Sequence, residues 1–321
     1  MPLEILDPGL LTTVQDLGRF GYQRLGIPTA GAMDPFALRA ANALVGNDAG
    51  AGCLEITLMG PRVRFTEACL IAITGGDLAP LLDGQEVEGW RAQLVRAGQT
   101  LEFAGRRSGM RAYLAVAGGV DVEPWLGSRS TYLLAALGGL EGRPLQAGDM
   151  LPIGRASFAA AALARPSLPT DRRPPYSGEP TVRVILGPHR DRFTEEGISD
   201  FLSGSYEISS DSNRMGYRLQ GPRIAHSHGP DLISCGIPLG GVQVPGSGQP
   251  IVLMADHQTT GGYTMIATVI QADIPLVAQC LPGERLHFRV VELDEARDSY
   301  RRLIDGISAA TRVKEMSLWD L

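Results

Sequence analysis

The amino-acid sequence predicts a mainly β protein built from two related domains, and three observations carry that prediction. Glycine and proline are abundant, with 40 and 22 of the 321 residues, and both residue types favour tight turns over long helices. Short apolar segments bounded by Gly, Pro or Asp recur along the chain, as expected for strands. Two segments also return later in the same order, which favours an internal duplication.

The repeated segments are short, but their order is kept. LMGPRVRF at residues 58–65 returns as LQGPRIAH at residues 219–226, and LVRAGQTLEF at residues 94–103 returns as AQCLPGERLHF at residues 278–288. If the two halves arose by duplication, we expect both repeats to mark equivalent strands in two superposable domains.

Alternating side chains and glycine turns indicate the strands themselves. Leu286, Phe288 and Val290 alternate with charged residues or histidine, which predicts a strand with one buried face and one solvated face. Turns with a central glycine recur at Gly98, Gly148 and Gly283. Because glycine adopts a positive φ in tight turns, these segments are predicted to be hairpins of a β-barrel or β-sandwich.

Only a few short helices are predicted. Asp34, followed by a proline, is a suitable N-cap for a helix that ends at Gly46. Thr194 is predicted to begin a second helix that ends near Gly204, and Asp294 is predicted to cap a third.

A proline-rich segment separates the two halves. Residues 164–180 contain five prolines and almost no core-forming side chains, which is typical of a linker. We therefore expect a first barrel region at residues 1–165, a linker at 166–180, a second barrel region at 181–305 and a C-terminal tail at 306–321.

The composition excludes several partners and chemistries. The formal net charge is −6, so a basic surface that binds nucleic acid is not expected. Lys314 is the only lysine among the 29 basic residues. The sequence therefore lacks a lysine-containing phosphate-binding loop, a core lysine for a Schiff base and a biotin-accepting lysine.

Cysteine spacing and hydropathy predict a cytoplasmic protein. The four cysteines show no C-x-x-C spacing, and the first residues lack a charged region followed by an apolar one. We therefore expect reduced thiols. No apolar run approaches the roughly 18 residues that cross a bilayer, so membrane insertion is not expected.

Several dense motifs relate this chain to a known family. They are TTVQDLGRFGYQRLGIPTAGAMD at residues 12–34, LVGN at 44–47, SDSNRMGYRL at 210–219 and GGVQVPGSGQPIVLMADHQTTGGYTMIATV at 240–269. In order and spacing they resemble the family known as allophanate hydrolase subunit 2, as the Kip-inhibitor antagonist or as the C subunit of 5-oxoprolinase. The resemblance extends from residue 6 to about residue 293.

The resemblance implies a fold, an activity and partners. It implies two cyclophilin-like β-barrels in a subunit of an ATP-dependent 5-oxoprolinase, which opens 5-oxo-L-proline to L-glutamate. The implied partners are a Kip-inhibitor-like subunit together with a lactam-utilisation subunit. ATP is used by the complex, and no cofactor is expected on this chain alone. The chain is also similar to part of the carboxyltransferase domain of urea carboxylase.

Polar residues within the motifs are candidates for substrate binding. A lactam acid needs an arginine for its carboxylate and hydrogen-bond donors for its ring carbonyl. Two polar clusters supply such groups: Gln15, Asp16 and Arg19 in the first, and Asp211, Asn213 and Arg214 in the second. We assign Gln15, Asp16, Arg19, Asp34 and Arg214 to substrate binding. The alternative is that these charges pair locally and fix loops, with Arg214 bound to Asp211.

The segment 240–263 is the best candidate for the centre of the site. Its paired glycines allow a ligand to approach backbone N–H groups. Four neutral side chains are assigned to substrate binding: Gln243, Gln258, Thr260 and Tyr263. Asp256, predicted at a strand end, is assigned as catalytic without His257, because adjacent strand residues point to opposite faces. The alternative is a β-bulge and turn that closes a barrel.

Other candidates are weaker. His226 and His228 suit a metal but lack a third ligand, so they are interpreted as surface histidines and no metal site is expected. Cys235, after Ser234, has no nucleophile elbow around it and is interpreted as a buried thiol. Ala30 is a departure from the family's S-G-A-x-D pattern, which has serine at that position.

Three functions remain open. The leading one is the 5-oxoprolinase subunit, and the second is carboxyl transfer to urea or a related amide, which requires a biotinylated partner. The third is regulatory binding of a Kip-inhibitor-like protein. For the isolated chain we expect neither ATPase nor lactamase activity, since the sequence has no phosphate-binding loop.

Overall fold

The computed structural model describes residues 2–155 and 166–311, with side chains described up to residue 308. Within these residues the protein is mainly β with few helices, as the sequence predicts. The strands of the first half lie in two sheets, and those of the second half lie in one.

The two sheets of the first half face a common core. The strands are β1 (Pro2–Asp7), β2 (Leu11–Gln15), β3 (Cys53–Thr57), β4 (Arg62–Phe65), β5 (Cys69–Asp77), β6 (Pro80–Leu82), β7 (Gln85–Glu86), β8 (Ala92–Val95), β9 (Thr100–Phe103), β10 (Ser108–Val116) and β11 (Met150–Pro152). One sheet has the order β11-β1-β4-β9-β6-β7, and the other has the order β2-β3-β10-β5-β8. Ile5 from the first sheet and Ile56 and Leu114 from the second belong to one apolar cluster.

The second half has one sheet that closes on itself. Its strands are β12 (Thr181–Leu186), β13 (Tyr206–Ile208), β14 (Gly216–Gln220), β15 (Asp231–Gly236), β16 (Gly241–Val244), β17 (Ile251–Leu253), β18 (Thr260–Val269) and β19 (Arg285–Val290). The order is β12-β19-β13-β14-β17-β16-β18-β15. Because β12 pairs with both β19 and β18, seven strands form a ring of hydrogen-bonded pairs. β15 lies outside this ring, paired with β18.

The two sequence repeats occupy different places in these sheets. In the first half, β4 from one repeat pairs with β9 from the other. In the second half, residues 222–226 form no strand and make a single bridge at His226, while β19 pairs with β12 and β13. The prediction that the repeats mark equivalent strands is therefore wrong. The internal duplication itself and the two cyclophilin-like barrels stay predictions.

The predicted glycine turns are confirmed, but the prediction that they are hairpins is wrong. β8 and β9, on either side of Gly98, lie in different sheets, and Gly148 and Gly283 each precede a strand (β11 or β19) that does not pair with the strand before it in the chain. Gly98, Gly148 and Gly283 all have positive φ, at 85°, 92° and 86°. In β19, Leu286 and Phe288 are buried while the intervening residues are partly or fully exposed. Local turn chemistry thus sets the strand ends in both halves.

Four α-helices lie in the described residues: α1 (Pro35–Val45), α2 (Glu195–Ser203), α3 (Ile274–Ala278) and α4 (Leu293–Thr311). Asp34 and Thr194 cap α1 and α2 through their side chains, as predicted. α3 was not predicted, and α4 has 19 residues, so the expectation of short helices fails there. None of the described helices combines the length and apolar character that crossing a bilayer requires.

The proline-rich segment packs against the first half. Leu168 is buried, and its N–H donates to the Trp90 carbonyl at 2.9 Å. The Arg173 guanidinium lies 5.4 Å from the centroid of the Trp90 ring, and Tyr176 reaches Asp34. Residues 166–180 are therefore not a free spacer. Their place between two domains stays a prediction, because the boundary at residue 165 falls outside the described residues.

The expected C-terminal tail begins inside α4. Leu303 and Ile307 of this helix join an apolar cluster under α1 that also contains Phe36, Leu44 and Trp90. α4 follows the strands of the second half but packs on the first, so it bridges the two halves. The rest of the predicted tail, residues 312–321, lies outside the described residues.

Candidate functional site

A buried ion-pair cluster joins the two halves. Arg214, just before β14, donates through Nε and Nη2 to the two carboxylate oxygens of Asp256, both at 2.9 Å. Its Nη1 donates to Glu55 of β3, and its Nη2 also donates to the Gly31 carbonyl at 2.6 Å. All three charged side chains are less than a tenth exposed. Because a buried charge is costly unless it is paired, the cluster fixes the halves against each other.

The electrostatics of this cluster keep Arg214 charged. Burial by itself lowers the pKa of Arg214, but Asp256 and Glu55 raise it above the ordinary value. The paired partner of Arg214 is therefore Asp256, and the alternative prediction of a salt bridge to Asp211 is wrong. Asp211 and Asn213 are not buried with it, since both side chains are exposed.

Glu55 is the contribution of the first half to the cluster. Its Oε2 accepts hydrogen bonds from the Met33 N–H at 2.8 Å and from the Tyr113 hydroxyl at 2.6 Å. The Tyr113 hydroxyl accepts in turn from the Asp34 N–H at 2.8 Å. Burial, together with the charge of Glu55, raises the pKa of Tyr113 well above its ordinary value. Strands β3 and β10 are thus tied to the loop before α1.

Asp34 has a structural role. Its Oδ1 accepts from the Ala37 N–H, and its Oδ2 accepts from the Tyr176 hydroxyl at 2.6 Å and from Gln279 Nε2 at 2.9 Å. The side chain is fully buried, and burial raises the pKa of the carboxyl although these hydrogen bonds lower it. Asp34 therefore caps α1 and connects the halves, and its assignment to substrate binding stays a prediction.

Gln279 and Arg111 form a second polar connection between the halves. Gln279 Oε1 accepts from the N–H groups of Met110 and Arg111, both at 2.9 Å. Arg111 donates to the Tyr217 hydroxyl at 2.6 Å and to the Ala278 carbonyl at 2.5 Å. The donor and acceptor of each bond come from different halves, so these bonds hold β10 against the second sheet.

Unusual backbone conformations shape the loop before α1. Ala30 and Gly31 have φ of +52° and +92°. A Cβ at Gly31 would lie 2.9 Å from the backbone nitrogen of Gly18, so only glycine fits at this position. The turn aims the Gly31 carbonyl at Arg214. Ala30, where the family pattern has serine, lines a cavity between the halves.

Asp16 fixes a loop of the first half. Its carboxylate accepts hydrogen bonds from the Gly18 N–H, the Ser128 hydroxyl, the Arg129 N–H and the Ser130 hydroxyl. Three of these donors lie more than 110 residues away in the chain and none is a charged side chain, so the carboxylate fixes the loop without the local charge pairing of the alternative interpretation. The assignment of Asp16 to substrate binding stays a prediction.

Arg19 is buried with fewer hydrogen-bond partners than its guanidinium has nitrogens. It is 1% exposed, and its Nη2 donates to the Ser130 carbonyl, whereas Nε and Nη1 have no partner among the described residues. The guanidinium lies 5.1 Å from the centroid of the Trp125 ring. Burial lowers the pKa of Arg19, while Asp16 and Asp256 raise it. A guanidinium with free donors is a binding group for an anion or for ordered water.

Gln15 lies near this arginine in sequence and is also incompletely bonded. Its Nε2 donates to the Thr13 hydroxyl at 3.0 Å and to the Thr131 carbonyl at 3.1 Å. Its Oε1 has no partner within the described part of the chain, and the side chain is fully buried. Gln15 therefore combines a structural contact with one free acceptor.

A cleft in the second half brings together three of the four predicted neutral side chains. It has a volume of about 480 Å³, and Gln243, Gln258 and Tyr263 line it. Gln243 of β16 is 1% exposed, and its Nε2 has no hydrogen-bond partner among the described residues. Thr260, the first residue of β18, is exposed and does not line the cleft.

Asp256 and His257 lie in a turn, because β17 ends at Leu253. Neither residue belongs to a strand, so the prediction that alternation along a strand separates their side chains is wrong. His257 is 8% exposed, with Nδ1 2.6 Å from the Gln258 carbonyl. Burial lowers the pKa of His257, although the carbonyl and Asp256 raise it. The catalytic role of Asp256 stays a prediction.

The weaker candidates, His226, His228 and Cys235, do not line the Gln243 cleft. His226 Nε2 lies 2.9 Å from the Thr264 hydroxyl, and His228 is exposed. No group of three metal-ligating side chains occurs in the described residues. Cys235 is half-buried on the outer strand β15, so its interpretation as a buried thiol is wrong.

Four residues that join the halves were not predicted from the sequence: Glu55, Arg111, Tyr113 and Gln279. One signal was available for Glu55, because it stands in CLEIT, where Leu54 and Ile56 flank the carboxylate in a strand-like segment. A carboxylate in such a strand predicts a buried cationic partner. For Arg111 and Gln279 the partners are far away in sequence, and no local pattern marks them.

Comparison with known proteins relates most of the chain to one family. The sequence matches the family described as carboxyltransferase domain, subdomains A and B, over residues 25–290. The Escherichia coli protein named as the C subunit of 5-oxoprolinase is 45% identical over 92% of this chain and 93% of its own length. The Haemophilus influenzae protein of the same name is 38% identical over 94% of this chain and 99% of its own length.

A solved structure shares the fold. The crystal structure of the Kluyveromyces lactis urea carboxylase superimposes with a TM-score of 0.91 at 32% identity, and the match covers 100% of this chain and 30% of that one. The chain is therefore similar to one part of a larger enzyme as well as to the full length of smaller proteins.

Proposed function

Because the chain belongs to the carboxyltransferase domain family, subdomains A and B, we propose that it is one component of an ATP-dependent 5-oxoprolinase, which opens 5-oxo-L-proline to L-glutamate. The support comes from the relatives in Escherichia coli and Haemophilus influenzae, which are named as the C subunit of 5-oxoprolinase and align over nearly their whole length. The proposed partners are a Kip-inhibitor-like subunit together with a lactam-utilisation subunit, in the cytoplasm.

In this proposal ATP binds to the partner subunits. Lys314 is the only lysine of the chain, so the lysine of a phosphate-binding loop is missing here. The partners activate the lactam with ATP, and this chain shapes the cleft that holds the ring. The closed ring of strands in the second half supports one cyclophilin-like barrel as the frame of that cleft.

The observation that carries the proposal is the Nε2 of Gln243, a donor without a partner among the described residues, on a residue that lines the 480 Å³ cleft. Leaving a buried donor without an acceptor costs about 1–3 kcal/mol. The ring carbonyl of a lactam is an acceptor that removes this cost. Gln258 and Tyr263 add uncharged hydrogen-bonding groups to the lining, as a polar neutral ring requires.

We assign the substrate carboxylate to Arg19 in preference to Arg214. All three nitrogens of the Arg214 guanidinium donate to Asp256, Glu55 or Gly31, so this side chain has little capacity for a ligand. Two nitrogens of Arg19 have no partner among the described residues. The negative charge of Asp256 raises the pKa of Arg19, although burial lowers it. In this proposal Asp256 binds Arg214. It thereby fixes the turn that carries His257 and Gln258 beside the Gln243 cleft.

The test uses the complex reconstituted from this chain and the two partner subunits. Gln243→Ala is expected to lower kcat/KM for ATP-dependent 5-oxoproline opening about tenfold, because the carbonyl loses its donor. Gln220→Ala is the matched control, since Gln220 lines the same cleft but is exposed. Equal rates for the two variants would remove Gln243 from the substrate site.

Carboxyl transfer to urea or a related amide is the second candidate, and the similarity to the urea carboxylase structure favours it. This activity needs a biotinylated partner, which the 5-oxoprolinase proposal does not. Urea-dependent turnover that appears only when a biotinylated partner is added would select this candidate.

A further inference from the structure

A second cavity, separate from the Gln243 cleft, lies where the two halves meet α4. Its volume is about 270 Å³, which corresponds to about nine waters at roughly 30 Å³ each. The first half contributes the loop before α1 and α1 itself, and the second half contributes residues 237–239 together with Ala255 and His257. Most of the wall is apolar, with Phe36, Ile237, Ile274 and Leu303 among the lining residues. The size and the apolar wall suit a small organic molecule.

One cation lines this apolar cavity. Arg39 lies on α1 three residues after Phe36, on the same helical face. Within the described residues Arg39 has no hydrogen-bond or ion-pair partner. Arg143 and Arg183, which are also partly buried, each bind an aspartate through two nitrogens. Arg39 thus lines the cavity wall without a partner in the part of the chain that the structure describes.

The wall supplies no other charge. None of the lining residues, all of them described, is an aspartate or a glutamate. His257 also lines the cavity, but its Nδ1 is engaged by the Gln258 carbonyl. Burial lowers the pKa of His257, so the ring is neutral near pH 7. A ligand in this cavity therefore meets mostly apolar surface, a few neutral polar side chains and, among the lining residues, a single positive group. The polar side chains are Gln23, Thr29, Gln271 and Tyr300.

We propose that this cavity binds a small monocarboxylate with an apolar body, and that Arg39 binds the carboxylate. A guanidinium offers two parallel N–H groups to the two carboxylate oxygens. The apolar body of the ligand fills the space between Phe36, Ile274 and Leu303. The acid is either the lactam acid of the proposed reaction or an unrelated small acid, and the site does not depend on the Gln243 cleft.

The experiment is calorimetric titration of the full-length chain without partners. The probes are cyclopentanecarboxylate, cyclopentylmethanol, which has the same ring but no charge, and 5-oxo-L-proline. Cyclopentanecarboxylate is expected to bind saturably, at least about tenfold more tightly than the alcohol. Binding of 5-oxo-L-proline with the same dependence on Arg39 identifies the reaction's own acid as the ligand. Binding of cyclopentanecarboxylate alone identifies another acid.

Variants decide whether Arg39 carries the binding. Arg39→Gln is expected to weaken cyclopentanecarboxylate binding about tenfold or more and to leave the alcohol unchanged. Arg218→Gln is the control, because Arg218 lines the other cleft. If Arg39→Gln does not fold, Arg39→Lys keeps the charge and is expected to retain part of the affinity. The proposal is overturned if no probe binds at millimolar concentration or if Arg39→Gln and Arg218→Gln bind equally. Either failure leaves the Gln243 activity test unaffected, since no turnover is measured.

Discussion

Replacing Arg214 with lysine is expected to destabilise the protein. The Arg214 side chain donates two hydrogen bonds to Asp256, one to Glu55 and one to the Gly31 carbonyl. Lysine keeps the positive charge, but it has a single nitrogen. That nitrogen cannot reach all three groups that accept hydrogen bonds from the planar guanidinium of arginine. At least one buried carboxylate oxygen then loses its charged donor.

The size of the effect follows from the number of hydrogen bonds that lysine cannot form. A hydrogen bond to a charged group contributes about 1.5–3 kcal/mol, so the absence of one should lower the free energy of unfolding by about 1.5–3 kcal/mol. Arg214→Met removes the charge altogether and leaves Glu55 and Asp256 buried at 3% exposure each. Breaking a buried pair in this way costs about 3–5 kcal/mol. The methionine variant is therefore expected to be the less stable of the two.

The assay is urea unfolding of the isolated chain, followed by 5-oxoproline turnover of the assembled complex. Arg218→Lys is the matched control, because Arg218 is an exposed arginine on β14, and its stability should stay within about 0.5 kcal/mol of the wild type. A wild-type unfolding midpoint for Arg214→Lys, combined with a large loss of turnover, would refute this reasoning. That pattern would place Arg214 on the substrate.

Three further outcomes are expected. Gly31→Ala should destabilise the chain more than Gly46→Ala, because both glycines have positive φ but only Gly31 lacks room for a Cβ; equal urea midpoints would contradict this. The pKa of His257 in the folded protein lies below its ordinary 6.5. As the pH falls, His257 is therefore protonated in the unfolded chain before it is protonated in the folded one, and the free energy of unfolding should decrease below about pH 6.5. His257→Gln should weaken that dependence and His228→Gln should not. Iodoacetamide at about pH 8 should modify Cys235 first, because burial raises the pKa of the other three thiols; uniform labelling would contradict this.

The features that sequence analysis predicted well are local ones. Asp34 and Thr194 mark helix starts because their side chains bond N–H groups three residues later. Gly98 and Gly283 mark turns because positive φ is a property of one residue. Such signals depend on neighbours in sequence, so they can be read without knowledge of the fold.

Contacts between the halves could not be predicted in the same way. Arg214 and Asp256 were both selected, but their pairing with Glu55 joins residues that are far apart in the chain. The proline-rich segment was expected to be a spacer, yet Leu168 is buried against the first half. Proline content predicts backbone conformation and says nothing about which surface the segment packs on. The free donors of Arg19 and Gln243 likewise depend on what the fold places around them.

The most direct test of the central proposal is glutamate formation from 5-oxo-L-proline and ATP by the three proposed components. We expect turnover when this chain is combined with the Kip-inhibitor-like and lactam-utilisation partners, and none from this chain alone or from the partners without it. Full turnover by the two partners in the absence of this chain would contradict the proposal.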